Sequence, residues 1–184
     1  MSDFPGPSWP PLNVITPWHE DSMGHLPWAA WSGTLTSTAS AAFVDELIYF
    51  YPFVIRQSAL AVKMGYIVGA TAAGSVDLGI YDSQGNLIVS TGLTAQGTIN
   101  VLQEIDITDT LLNPGNYYMA IKCTDGTGTG FSTAPADERI LSHVPIYTEA
   151  GGAGAALPTT ATMISSTQAS VAVIAMGVWF STLL

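Results

Sequence analysis

The densest gathering of side chains that could do chemistry is His19-Glu20-Asp21 with His25. Imidazoles and carboxylates are good zinc ligands, and the common helical zinc pair sets its histidines four positions apart. Here they stand six apart in a proline-rich stretch, which fits neither that pair nor a standard loop spacing. Hydrogen bonding at a surface or an interface is the expected role. Asp45-Glu46 and Asp137-Glu138 are adjacent carboxylates. Neighbours on a strand point to opposite faces, so neither pair makes an acid/base dyad by itself. No Gly-x-Ser-x-Gly occurs, and the one other histidine is His143, which gives a serine triad little support. Gly126-Thr127-Gly128-Thr129-Gly130 lacks the Lys-Ser/Thr and the helix of a phosphate loop. Asp125 beside it offers one carboxylate to calcium, which reads as a solvated turn. Cys123 is the only cysteine, so no intrachain disulfide or thiolate cluster can form. It continues the apolar row Tyr117, Met119, Ile121 and is expected to pack. No catalytic residue, metal or cofactor is expected.

Aromatic residues carry the stronger signal. Trp9, Trp18, Trp28 and Trp31 fall within the first 31 residues, with Pro5, Pro7, Pro10, Pro11, Pro17 and Pro27. So many prolines forbid a helix and strip ladder donors from a strand, leaving extended or polyproline-like backbone. Disordered tails are usually poor in aromatics, and tryptophan buries a large area at low entropy cost. Residues 1–31 therefore read as an arm that docks on a neighbour, the alternative being an arm folded back across its own domain. Tyr49, Tyr51 and Phe53 lie in one stretch apolar on both alternating faces, and Trp179 and Phe180 close another. A strand apolar on both faces must be covered on both, by the centre of the domain or by a partner. These five residues join the arm tryptophans as expected partner contacts.

The elements that must position these residues are short strands. Val76, Leu78 and Ile80 alternate with Asp77 and Gly79 before the turn Asp82-Ser83-Gln84-Gly85-Asn86. Leu112-Asn113-Pro114-Gly115-Asn116 turns the chain into Tyr117–Ile121. Period-two alternation punctuated by Gly, Pro, Asn and Asp predicts an all-β fold, an antiparallel β-sandwich of jelly-roll type with about eight strands. Leu60, Val62, Met64, Tyr66 and Val68 are expected on one face of a strand, and Ile99, Val101, Ile105 and Ile107 on one face of another. Pro52 suggests an edge or a bulge. The sandwich is assigned to residues 32–184, with a flexible Gly/Ala/Ser/Thr-rich loop over 150–170 and a closing strand at Val171–Leu184. No fixed-period repeat and no second domain is evident.

Bulk composition narrows the partners. The chain has 184 residues, 48% hydrophobic and only 10% charged, against a usual charged share of about 25%. A surface so poor in charge is expected to be covered partly by other subunits, making a homo-oligomer, though Thr, Ser and Asn can also solvate it. Net charge is −10, and the four basic residues are Arg56, Lys63, Lys122 and Arg139. Without a basic patch nothing displaces phosphate counterions, so nucleic acid and anionic membranes are not expected partners. The apolar run Val171–Phe180 falls short of the ~20 residues that span a bilayer. No basic-then-apolar leader opens the chain, so synthesis in a cytosol is expected.

Leu78-Gly79-Ile80-Tyr81-Asp82, the turn, Leu87-Ile88-Val89, and then Leu112-Asn113-Pro114-Gly115-Asn116-Tyr117-Tyr118-Met119-Ala120 together form one layout. Preceded by the aromatic strand Ile48–Ile55, it resembles a β-sandwich module widespread in structural proteins of tailed bacteriophages. The likeness covers roughly residues 44–123. It implies a non-enzymatic component of the virion, in head or tail, and no functional residue carries over. The leading expectation is a capsid decoration (cement) protein that docks on the major capsid protein or other virion subunits. A tail, baseplate or fibre component binding carbohydrate through Tyr49, Tyr81 and Tyr118 is the alternative.

Overall fold

The structure is a computed structural model that describes residues 39–44, 47–133, 147–152, 154–162, 164–165, 173–174 and 176–181. The arm tryptophans Trp9, Trp18, Trp28 and Trp31 lie outside the described residues, as do His19, His25, Asp45-Glu46, Asp137-Glu138 and His143. Among the described residues there is no helix, and every strand pairing is antiparallel.

The strands in chain order are β1 (Ala39–Ala42), β2 (Leu47–Ile55), β3 (Ala59–Ile67), β4 (Ser75–Asp82), β5 (Leu87–Ser90), β6 (Thr94–Ala95) and β7 (Leu102–Leu112). They continue with β8 (Gly115–Cys123), β9 (Thr129–Thr133), β10 (Tyr147–Ala150), β11 (Ile164–Ser165), β12 (Val173–Ile174) and β13 (Met176–Ser181). The larger sheet runs β11-β10-β2-β8-β4-β5, with β6 beside β4. The facing layer contains β13-β3-β7. A third set, β1-β9-β12, joins that layer through a bridge between Val68 and Gly130.

The core sits between the two layers. Tyr49, Tyr51, Phe53 and Ile55 of β2, Val76, Leu78 and Ile80 of β4, and Met119, Ile121 and Cys123 of β8 point inward from one side. Met64, Tyr66 and Val68, with Met176, Val178 and Phe180 of β13, meet them from the other. A packed antiparallel sandwich is therefore what the alternation builds.

Five local expectations are corrected. Leu60 and Val62 do not share a face with Met64; Ala59 and Ala61 are the buried residues before a bulge between Ala61 and Lys63. One extra residue reverses the inside–outside parity of everything after it. Ile99 and Val101 precede β7 and point to solvent, because Asn100 turns the chain with φ 58°. The closing stretch is two pieces: β12 pairs with β9, and β13 with β3. The loop expected to be flexible runs, in its described part, across the outer face of the larger sheet as a hydrogen-bonded strap. Pro52 is neither in an edge strand nor in a bulge. It lies in β2 beyond the reach of β10, which pairs only with Leu47–Phe50, so on that side its missing N–H costs no bond to β10.

Candidate functional site

The outer face of the larger sheet holds the chain's two fully buried charged residues among those described, Asp77 and Lys122, both 0% exposed. They stand directly opposite each other on β4 and β8. Ile48 of β2 is the next residue in this row, and Glu149 of β10 follows it. Isolated charges out of water are very costly unless hydrogen-bonded, and residues 151–162 supply the partners. Lys122 Nζ donates to the carbonyl of Gly152 and, at 2.8 Å, to that of Ala155. The Leu157 N–H donates to Asp77 Oδ2 at 2.9 Å, and the Thr91 hydroxyl donates to Oδ1 at 3.3 Å. Burial pushes the Asp77 carboxyl above the usual aspartate range, with hydrogen bonds from Leu157, Thr91, Ser90 and Gly92 partly offsetting the shift.

Further along, the Tyr81 hydroxyl donates to the Pro158 carbonyl at 2.7 Å and Leu87 N to the Thr159 carbonyl at 2.9 Å. Ala161 N donates to Gly85 O, and Thr162 N to Glu149 Oε2. Gly85 has φ +86°, which the tight turn after β4 requires. Beneath the strap a second apolar cluster forms from Ile48, Phe50, Tyr81, Ala120, Leu157 and Ala161. The Phe50 and Tyr81 rings meet edge to face, with centroids 5.3 Å apart. Small residues let the strap come this close: a Cβ at Gly151 would lie 3.0 Å from Lys122 Nζ. This arrangement ties a loop down. Both charged groups make hydrogen bonds to backbone of the strap and so hold it against the sheet.

The aromatic residues expected at a partner contact are placed as follows. Tyr49, Tyr51 and Phe53 are buried in the core of their own chain. The Tyr49 hydroxyl accepts from Val44 N and the Tyr51 hydroxyl from Ile174 N, both at 3.2 Å. Phe180 is buried in the same core. Trp179 is half-buried opposite Lys63, over Gly65, where a Cβ would lie 3.0 Å from two of its ring atoms. Of these five side chains, four are thus occupied within the chain itself. Of the tyrosines considered for sugar stacking, Tyr49 and Tyr81 are buried, and Tyr118 is half-buried with its ring edge to face against Tyr147. Among the described residues, no group of three or more His, Cys, Asp and Glu side chains converges as a metal site. Asp125 accepts from the N–H and hydroxyl of Thr127, closing its own turn.

What the residue pattern missed is the exposure of aliphatic side chains just before and at the start of β7. Ile99, Val101 and Leu102 are 46%, 49% and 36% exposed. The backbone beneath them is pinned: Asn100 N donates to the Val68 and Gly69 carbonyls, and Val68 N donates to the Val101 carbonyl. The available signal was Asn100 itself, since asparagine tolerates the left-handed region that would break an alternating run.

No protein-family model, curated protein or solved structure significantly matches this chain.

Proposed function

We propose that this chain is a non-enzymatic structural subunit of a tailed-bacteriophage virion, foremost a capsid decoration protein that docks through residues 1–31. The observation that carries the reading is the place of the resemblance motif in the fold. Leu78-Gly79-Ile80-Tyr81-Asp82 and Gly115–Ala120 occupy neighbouring interior strands, with Tyr81 opposite Tyr118 and Asp82 opposite Tyr117. That these segments build the framework of the sandwich supports the reading. The buried polar groups support the same reading, since Asp77 and Lys122 fasten a strap. A receptor-binding tail component needs an aromatic platform in the open, and burial of Tyr49 and Tyr81 leaves that alternative weaker.

Attachment separates from folding by truncation. Deleting residues 1–27 should leave cooperative thermal unfolding nearly unchanged and abolish co-sedimentation with phage particles. Truncated protein that still decorates particles at parental stoichiometry would refute the docking role.

A further inference from the structure

We propose that the outer face of the facing layer, at Trp179, Glu104 and Asp106, is a docking notch for an arginine side chain of a basic partner protein. The inference stands apart from docking through residues 1–31 and from the phage assignment. Register sets these residues side by side. Trp179 of β13, Lys63 of β3 and Asp106 of β7 are successive partners in one row, and the pair Gly65 and Glu104 lies two residues along on the same face. Met64, Val178 and Ile105, which alternate with them, turn to the core. The indole leans along this outer face: two of its ring atoms lie 3.0 Å from where a Cβ of Gly65 would stand. Glycine weakens the interior of a strand, and here its bare backbone gives the indole a seat. The ring tip therefore stands beside Glu104, the cross-strand neighbour of Gly65, and Trp179 is only half-buried.

Charge decides the occupant. Lys63 Nζ stands 3.6 Å from Glu104 Oε2 and 3.5 Å from Asp106 Oδ1. Among the described residues, one ammonium thus faces two carboxylates, which leaves a net negative charge at the row, and the Asp106 side chain is 84% exposed. A further cation is the complement, and the ring beside the carboxylates selects its kind. A guanidinium stacks on tryptophan within about 6 Å of the ring centre while its planar fork engages a carboxylate. An ammonium is a compact, strongly hydrated point charge, which Lys63 already supplies. Tryptophan and arginine are also the side chains in which interfaces concentrate their binding energy. A second copy of this chain is a poor source of the arginine, because it brings net charge −10 against −10 and the two bodies repel. The occupant is an arginine on a protein of opposite charge.

Nuclear magnetic resonance on the full-length, isotope-labelled chain tests this at low ionic strength, where exposed charges are least screened. The probe is the peptide acetyl-Gly-Arg-Gly-amide. The Trp179 indole N–H is the resonance that disappears in Trp179→Phe, and it should shift saturably as the arginine peptide is added. Lysine in place of arginine should bind several-fold more weakly. Citrulline, which keeps the shape without the charge, should leave the resonance unmoved. Glu104→Gln with Asp106→Asn should weaken binding of the arginine peptide by roughly tenfold or more. Asp109→Asn, at an exposed carboxylate farther along β7, controls for net charge and should bind as the parent does. Amide spectra matching the parent's away from each substitution show that the variants are folded. An unmoved indole, or equal shifts with arginine, lysine and citrulline, would overturn the notch. Shifts spread evenly over the exposed carboxylates and indifferent to Glu104→Gln with Asp106→Asn would reduce it to diffuse attraction, which also overturns it. An indole resonance that moves with protein concentration before any peptide is added would put a second copy on this face and overturn the basic partner.

Discussion

Asp77 and Lys122 are the polar positions where one side-chain change should cost the fold most. Each is wholly out of water and faces the other across β4 and β8. Removing either side chain leaves buried groups of the strap without their hydrogen-bond partner, at a cost of about 1–3 kcal/mol. Asp77→Ala and Lys122→Ala should each lower unfolding free energy by that order in denaturant titrations. The apolar double replacement Asp77→Leu with Lys122→Met should cost clearly less than the sum of the single changes. Additive losses would show that the two side chains do not act together. Acidity gives a second handle. Burial raises the Asp77 carboxyl, so the folded state holds its proton more tightly than the unfolded chain does. Its contribution to stability is complete below about pH 3.9 and declines as pH rises through the raised value. Hydrogen bonds from Asn86 and Thr127 hold Asp82 and Asp125 low, so their contributions run the other way and fade as pH falls. Subtracting the Asp77→Asn curve from the parent's isolates Asp77. The difference should favour the parent more in acid than at neutrality, and a flat or opposite slope would contradict the assigned burial. The pair was hard to read from sequence, since Asp77 and Lys122 each sit at the outward position of an alternating strand.

At the scale of elements, the strap over residues 151–162 is what turns that outward face into an inward one. Its Gly and Ala composition reads as a flexible connection because small residues are common in both. Here they serve close approach, at Gly151 against Lys122. Leu157 seats in the cluster with Ile48 and Phe50. Leu157→Ala should therefore cost about 2–5 kcal/mol, and Tyr81→Phe, which deletes one hydrogen bond to the strap, about 0.5–1.5 kcal/mol. Hydrogen exchange should show faster loss of the Leu157 and Ala161 amides in the first variant while β3 and β7 stay protected. Uniform acceleration through both layers would mean that the strap is not a separable unit. The bulge in β3 explains another departure. Alternation predicts faces correctly only until an extra residue enters, so Met64, Tyr66 and Val68 keep a shared face while Leu60 and Val62 lose it. The turns at Asp82–Asn86 and Asn113-Pro114 carry local chemistry strong enough to be recognised in isolation.

For the whole molecule, the sandwich follows from the strand pattern, and the faces of β2 that demanded cover receive it from the facing layer and the strap. An oligomer is therefore not needed to hide Tyr49, Tyr51 or Phe53. The proposed docking through residues 1–31 thus does not depend on those aromatic faces. The central claim is that this arrangement serves attachment to a phage particle, and a subnanometre density map of particles carrying this chain tests it most directly. The account predicts repeated all-β density of this sandwich's size on the outside of the capsid lattice, each unit joined to a neighbour through residues 1–31. Density for it at no repeated position on head or tail would contradict the account.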